Sequence, residues 1–415
     1  MAAPRVLILG AGYAGLNVAR HLARRLGRSG DFQIHLVDQH DYHQFIVQLY
    51  EVAGGTLPPE AVTVPLADLL DGLPVTFTRG RVETVDPASR AVYVDGQRLT
   101  YDRLVFALGS ETAYYGIPGL EEHALTLKSL ADAQRIRQQV EQNVAEAART
   151  DDAERRAMLL TVVVGGGGFT GTELAGELAD FRRDLARAYG VRPGEIHVVL
   201  LEAADQVLRG FHPKVVDRAQ ALLARKGVRL RLGALLDGAE RCAVRLQGGE
   251  TIAAGTVIWT GGVRGSSILE RSGFALGPGK AAQVNAYLQS VTAPDVYVVG
   301  DAASVIDPVT GRPAAPSAQL ATREAPVAAA NVAASLQGGP QRAFVPRSAG
   351  AIVSVGRRDA VALLGGVVID GFAGQALKRL VNLRYISSIG GVGLALRRAP
   401  HALQVTGKRP LEAGR

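Results

Sequence analysis

Two short stretches of the 415-residue chain carry residues spaced for chemistry. Gly10-Ala-Gly12-Tyr-Ala-Gly15 is followed by an acid, Asp38, 23 positions after its last glycine. Gly166-Gly-Gly168-Phe-Thr-Gly171 begins 156 positions after the first set and is followed by Glu202. Glycines at this spacing ahead of a helix leave free backbone N–H groups at the positive end of the helix dipole, where a pyrophosphate binds. The first two glycines of each set let the backbone approach the phosphates, and the third lets helix pack on strand. An acid ending the next strand accepts hydrogen bonds from ribose hydroxyls. No Arg follows Glu202 directly (Ala203, Ala204, Asp205). A 2′-phosphate there meets like charge, so the second site reads as one for NADH rather than NADPH.

The elements that position these residues read as two βαβ units. Residues 5–9 form an apolar run expected as a buried parallel strand, 16–26 a helix, and 32–37 the next strand, ending at Asp38. In the second copy the strand is expected over 159–164, the helix over 172–188 and the following strand over 196–201. Apolar runs ending in Gly109, in Gly261-Gly262 and in Gly300-Asp301 read as further buried strands. The last of these comes after the second unit, so the first domain is expected to be interrupted and then to resume. Residues 121–156, rich in Ala, Gln and Arg, read as one or two surface helices. Two dinucleotide units in one chain most simply mean one flavin and one nicotinamide, with hydride passing between them.

Composition narrows the chemistry. One cysteine, Cys242, excludes a disulfide framework, a cysteine zinc site and a redox pair. His40 and His43 flank Asp41, but no further cluster supports a metal, and none is expected. No apolar run reaches the length of a membrane span, and residues 5–9 read as a strand rather than a signal peptide. The net charge of +7 is concentrated at one end. Residues 371–415 hold eight basic groups (Lys378, Arg379, Arg384, Arg397, Arg398, Lys408, Arg409, Arg415) against one acid, Glu412. Such a tail can meet nucleic acid, an acidic partner or the anionic inner membrane leaflet, or be a solvated surface segment. Nucleic acid is not expected, because no aromatic-interleaved basic groove accompanies it.

Four segments carry a resemblance to the type II NADH dehydrogenases, single-chain FAD enzymes among the two-dinucleotide-binding flavoproteins. They are Leu36-Val-Asp-Gln-His-Asp-Tyr-His-Gln-Phe with Leu49-Tyr-Glu-Val-Ala-Gly-Gly-Thr-Leu; Val164-Gly-Gly-Gly-Gly-Phe-Thr-Gly-Thr-Glu-Leu-Ala-Gly-Glu-Leu-Ala; Gly300-Asp-Ala-Ala with Pro316-Ser-Ala-Gln-Leu-Ala; and the tail from Gly371 with Ile389-Gly-Gly-Val-Gly-Leu-Ala-Leu. The resemblance implies non-covalent FAD held at Gly10, Gly12, Ala14, Gly15, Asp38, Val82, Ala107, Gly109, Gly300, Asp301, Ala318 and Gln319. It implies NADH at Gly166, Gly168, Thr170, Gly171, Glu173, Glu202 and Gly262. Glu173, Lys378 and Gln319 are the implied catalytic groups, with Lys378 pairing Glu173. Gln319 and Arg323 would face the electron acceptor, a quinone (menaquinone or ubiquinone). Arg323 departs from the family pattern, which has a second Gln there. An amide has become a charged guanidinium that can donate to a quinone carbonyl but cannot accept. Sulfide:quinone reductases are similar too, but need redox cysteines that Cys242 alone cannot supply.

The expected fold is α/β, with two Rossmann-like dinucleotide-binding domains. The FAD domain spans 1–118 and 291–345, the inserted NADH domain 119–290, and a basic extension 346–415. The resemblance implies peripheral attachment to the cytoplasmic side of the cell membrane through that extension, and a homodimer is possible. In the extension, 385–396 is uncharged and bracketed by Arg384 and Arg397-Arg398. A helix from Ala373 aligns Leu377, Leu380 and Val381 with Arg384 inside the stripe, and Gly390, Gly391 and Gly393 argue against one long helix. A docked, soluble tail is the alternative. The function expected is hydride transfer from NADH to FAD, then two electrons to a membrane quinone without proton pumping. The alternatives are a soluble NADH:acceptor reductase serving a small protein or dioxygen, and a non-catalytic FAD/NADH redox sensor.

Overall fold

The computed structural model describes residues 3–26, 32–347 and 349–402. The basic residues Lys408, Arg409 and Arg415 lie outside the described residues. The chain forms two compact units. The first comprises Met1–Gln44, Thr63–Glu111 and Val263–Ser348; the second comprises Phe45–Val62, Thr112–Gly262 and Ala349–Arg415.

The first unit is built on a five-stranded parallel sheet in the order Val296–Val298, Arg103–Phe106, Arg5–Leu9, Gln33–Asp38, Val75–Arg79. Val6 to Leu9 are fully buried, as a central strand covered on both faces requires. Helix Tyr13–Leu26 follows it and packs along helix Ala318–Gln337. Ser317 caps the latter, its hydroxyl accepting from Leu320 N–H at 3.1 Å. An antiparallel sheet of Val82–Asp86, Ala91–Val94 and Gln97–Thr100 shares a core with Leu7, Leu9 and Phe106.

The second unit repeats the plan with four parallel strands, in the order Arg229–Leu232, His197–Glu202, Thr161–Gly165, Thr256–Trp259. Its glycine turn opens helix Phe169–Tyr189. The first strand starts later than expected, at Thr161. Leu159 instead ends helix Ala153–Leu159, which Asp152 starts by accepting from the N–H groups of Glu154 and Arg155. The stretch read as surface helices is partly core. Helix Leu130–Ala147 buries Ile136, Val140 and Val144.

An antiparallel sheet of Ala351–Ser354, Ala360–Leu364 and Val367–Asp370 completes this unit, with helix Gly371–Ala402 packed on it. That helix is two pieces, broken at Gly391, whose φ of 75° and ψ of 176° are non-helical. Its buried side holds Gln375, Lys378 and Arg379, then Ile386, Ile389 and Leu394. Its exposed side carries Phe372, Leu380, Val381, Val392 and Leu396, with Leu377 half-buried. No helix among the described residues is long and apolar enough to cross a membrane.

Candidate active site

Each unit carries one glycine turn, and the two turns share their geometry. Gly10 has φ +95°, and a Cβ on it would sit 2.5 Å from the Ala107 carbonyl oxygen. Gly166 has φ +100°, and its Cβ would lie 2.4 Å from the Gly261 Cα. A Cβ on Gly15 would fall 1.9 Å from the Gly10 carbonyl oxygen, and one on Gly171 would fall 1.8 Å from that of Gly166. These four positions are closed by the protein itself. Gly12 and Gly168 are exposed and meet nothing within 4 Å. The cradle therefore opens at the middle glycine of each turn, where a phosphate needs the backbone.

The acids take part in the turns. Asp38 accepts from Ala11 N–H at 2.6 Å and from His40 N–H at 2.8 Å. Glu202 accepts from Gly167 N–H at 2.6 Å and from Ala204 N–H at 2.8 Å. Each carboxylate oxygen has lone pairs left beyond these bonds that could accept from a ribose hydroxyl. Burial pushes the Asp38 carboxyl up, against the two N–H groups that favour its charged form. His43 supports the first turn from beneath, its Nδ1 2.8 Å from the Ala11 carbonyl. Burial pushes that imidazole down to about 4, so it is neutral at physiological pH.

The other residues named from sequence sort by exposure. In the first unit, Ala14 is buried and faces Gly300, whose φ is +69°. Asp301 is half-buried and accepts from Ser110 Oγ at 2.9 Å. Gly109 meets nothing within 4 Å, and Ala107 backs the turn through Ala107 N–H to the Leu9 carbonyl at 2.9 Å. The Val82 side chain belongs to the core. Ala318 and Gln319 occupy the first turn of helix Ala318–Gln337, Ala318 half-buried and Gln319 exposed. Arg323 donates from Nη1 to the Arg347 carbonyl at 2.6 Å, so part of its donor fork tethers a neighbouring segment. In the second unit, Thr170 is exposed on the helix's first turn, and Gly262 lies under Tyr115, whose hydroxyl would be 2.0 Å from a Cβ there.

Glu173 and Lys378 do meet. Both are buried, and the ammonium donates to Glu173 Oε1. The same oxygen accepts from Ser354 N–H at 3.0 Å. Tight packing allows this: a Cβ on Gly176 would lie 2.6 Å from Gly356 N, so the helix rests directly on the hairpin turn after Ser354. Ser354 Oγ accepts from the Tyr50 hydroxyl at 3.0 Å and donates to Gln375 Oε1 at 2.9 Å. The Lys378 ammonium stands 4.9 Å from the Tyr50 ring centroid, a cation–π contact. Burial pushes Glu173 up, and Lys378 holds it partly down.

Sequence reasoning missed several of these groups. Tyr50, Ser354 and Gln375 are brought in by packing. Glu324 is fully buried on helix Ala318–Gln337 and accepts from Gly300 N–H at 2.5 Å. Burial pushes that carboxyl up to about 8. A lone acid in an Ala-rich helix, five positions after Gln319, was the available signal.

The duplicated turn, its acid and its parallel sheet define a class of protein. The model for the pyridine nucleotide-disulphide oxidoreductases matches residues 4–326, and the chain belongs to that family. Within it the chain stands with the type II NADH:quinone oxidoreductases. It is 30% identical over 403 residues to the one from Staphylococcus saprophyticus, covering 95% of this chain and 98% of the relative. It is 29% identical over 405 residues to that of Staphylococcus aureus, at the same coverage. The fold matches that of NDH2 from Plasmodium falciparum in complex with NADH, with a TM-score of 0.85 at 16% identity, over 96% of this chain and 98% of that one. It also matches the sulfide:quinone oxidoreductase of Aquifex aeolicus, with a TM-score of 0.76 at 19% identity, over 94% and 92%.

Proposed function

We propose that this chain is an NADH:quinone oxidoreductase with non-covalently bound FAD. The observation that carries the reading is the pair of open glycine turns, one per unit, each gripped by an acid. The first turn fits FAD: its middle glycine is open, its helix dipole favours the pyrophosphate, and Gly300-Asp301 supplies a second polar edge. Bound FAD supplies the hydride acceptor and the two-electron donor. Asp38 orients the adenosine ribose, and Asp301, held by Ser110, accepts from a hydroxyl of the flavin side chain. In the second unit the free N–H groups at Gly168 hold the NADH pyrophosphate, and Glu202 takes the ribose hydroxyls and repels a 2′-phosphate. Glu173, with its charge balanced by Lys378, holds a proton-accepting oxygen in a dry environment at the head of the NADH helix. Gln319 lies at the acceptor side, where Arg323 adds a guanidinium donor that the family's second Gln lacks.

The C-terminal helix is the membrane contact in this reading. Its exposed apolar residues face outward and Arg384, Arg397 and Arg398 flank them, as interfacial attachment on the cytoplasmic side requires. Flotation with anionic vesicles that is lost in high salt supports it; no flotation at low salt rejects it.

The test of activity is loss of reduced nicotinamide absorbance with purified holoenzyme, comparing short-chain menaquinone or ubiquinone with buffer in air. Turnover that requires quinone is the expected result. Flavin bleaching by NADH without quinone-dependent turnover would favour the soluble reductase, a reading that Arg323 supports.

A further inference from the structure

Tyr115 holds a backbone conformation that its residue type avoids, and the core does not use its side chain. Its φ is +54°, and that of the next residue, Gly116, is +70°. The Ile117 N–H donates to the Tyr114 carbonyl at 3.0 Å, closing a tight turn with positive φ at both central positions. Gly, Asn and Asp ordinarily supply such turns, because a larger side chain crowds its own backbone there. Burial does not offset the strain, since Tyr115 is 69% exposed. Its neighbour Tyr114 is the anchor, packed with Ile117 against the core of Leu120, Val163 and Trp259. The turn is tied down on both sides of the tyrosine. Before it, the Ala113 N–H donates to the Gly262 carbonyl at 3.1 Å, and Trp259 Nε1 donates to the Ala113 carbonyl at 2.8 Å. After it, the Ala239 N–H donates to the Pro118 carbonyl at 3.0 Å. A strained residue persists only where its surroundings over-determine it, and such residues cluster at ligand sites.

The sheet says which part of a dinucleotide lies near it. Strand Thr161–Gly165 runs between His197–Glu202 and Thr256–Trp259, with Gly165 level with Leu201 on one side and with Trp259 on the other. Glu202 therefore stands on one flank of the glycine turn, and Gly261-Gly262 on the opposite flank. That second flank adjoins the turn directly, since a Cβ on Gly166 would lie 2.4 Å from the Gly261 Cα. Tyr115 belongs to the same flank: its hydroxyl would be 2.0 Å from a Cβ on Gly262, so only a bare glycine lets the tyrosine stand there. A dinucleotide with its pyrophosphate at Gly168 and its adenosine ribose at Glu202 carries its other half across the strand ends to the Gly262 side.

Resting on the NADH reading above, we propose that Tyr115 is a binding residue for the nicotinamide half of NADH. Its ring supplies a flat apolar wall at the edge of the cleft, and the strained turn holds that wall in place before the ligand arrives. The hydroxyl rests on Gly262, so the ring carries the contact. An aromatic side chain placed in advance loses little freedom on binding, which raises affinity. The left-handed backbone at Tyr115 then follows from function: a glycine would suit the turn better and would leave that side of the cleft without a wall.

Tyr115→Gly, Tyr115→Ala and Tyr115→Phe in the FAD-loaded enzyme test this. NADH affinity is read from the saturation of flavin reduction in rapid mixing. ADP, which has no nicotinamide half, is measured as a competitor in the same assay. Tyr115→Gly and Tyr115→Ala should weaken NADH by roughly tenfold while ADP keeps its parental affinity. Tyr115→Phe, which keeps the ring, should restore most of the NADH affinity. In thermal melts Tyr115→Gly should unfold no lower than the parent and above Tyr115→Ala, because glycine alone is free of strain at this φ. Parental NADH affinity in both truncated variants overturns the assignment, and so does an equal loss for ADP, which would report a displaced turn. A Tyr115→Gly protein that unfolds well below the parent overturns it too, because the ring would then be a structural prop. A parent enzyme whose flavin NADH does not reduce defeats the underlying reading instead, so the two failures are distinct.

Discussion

Helix Tyr13–Leu26 and helix Phe169–Tyr189 start from the same turn and then diverge. Both are entered through a glycine at strongly positive φ, packed through a third glycine, and gripped by an acid two hydrogen bonds deep. Past the turn, the first buries Leu16, Val18, Ala19, Leu22 and Ala23. The second buries Leu174, Ala175 and Leu178 on one side and Glu173 and Glu177 on another. An apolar face needs no partner, whereas each buried charge must find one. The first helix therefore only presents a ligand cradle. The second presents a cradle and also organises the hairpin, the C-terminal helix and residues 49–56 around its acids.

The largest expected effect comes from the shared part. Gly171→Ala puts a methyl 1.8 Å from the Gly166 carbonyl, which only a shifted helix can relieve. It should cost about 3 kcal/mol or more and abolish NADH binding. Gly168→Ala meets nothing within the protein and should fold normally while weakening NADH binding, because the methyl enters the cradle. Gly15→Ala and Gly12→Ala should repeat the contrast for flavin retention. Urea unfolding with flavin and nicotinamide titrations reads all four. Equal stability of Gly168→Ala and Gly171→Ala would break the parallel.

The next effect belongs to the second helix alone. Lys378→Ala leaves Glu173 buried with one N–H donor, from Ser354. Breaking a buried pair from one side costs about 3–5 kcal/mol. The double variant Lys378→Ala with Glu173→Gln should regain part of that loss. Additive losses in a double-mutant cycle would show that the pair contributes no coupling.

Smaller again is the contrast between the acids. Glu202→Ala should weaken apparent NADH affinity by about tenfold, as loss of a charged hydrogen bond does, with flavin content unchanged. Asp38→Ala should do the reverse, releasing flavin on gel filtration while NADH still binds. An effect of either variant on both ligands would show that the turns do not act separately.

The parts legible in the sequence are those whose geometry is local. Glycine spacing, the following helix and the strand-end acid lie within about thirty residues of each other, and their backbone demands are set by neighbours. The break at Gly391 was legible for the same reason. The surroundings of Glu173 were not, since Lys378 lies 205 positions away and entered only through resemblance to a family. Ser354 and Gln375 carry no local signal. Their place depends on Gly176 letting the helix sit against Gly356, and Gly54 does the same for Glu177, where a Cβ would lie 2.3 Å from the Glu177 Cγ. Those glycines were visible as composition, 49 in the chain, but their contacts lie between distant segments.

A last contrast is a pH dependence to which each unit contributes a buried acid. Glu324 in the first unit and Glu177 in the second are both pushed by burial from 4.5 to about 8. The folded protein keeps these protons where the unfolded chain releases them. The stability that each contributes is full below pH 4.5 and is lost as pH rises through about 8. His43, pushed by burial from 6.5 to about 4, acts oppositely: its contribution is present above 6.5 and lost as pH falls through about 4. Between pH 6.5 and 8 the two acids therefore act without His43, and the melting temperature should decline across that window. Glu177→Gln and Glu324→Gln should each flatten the decline, and the double variant should remove most of it. Differential scanning fluorimetry of the apoprotein across that window resolves the contributions. A Glu324→Gln slope that matches the parent, beside a flattened Glu177→Gln slope, would confine the stored proton to the second unit.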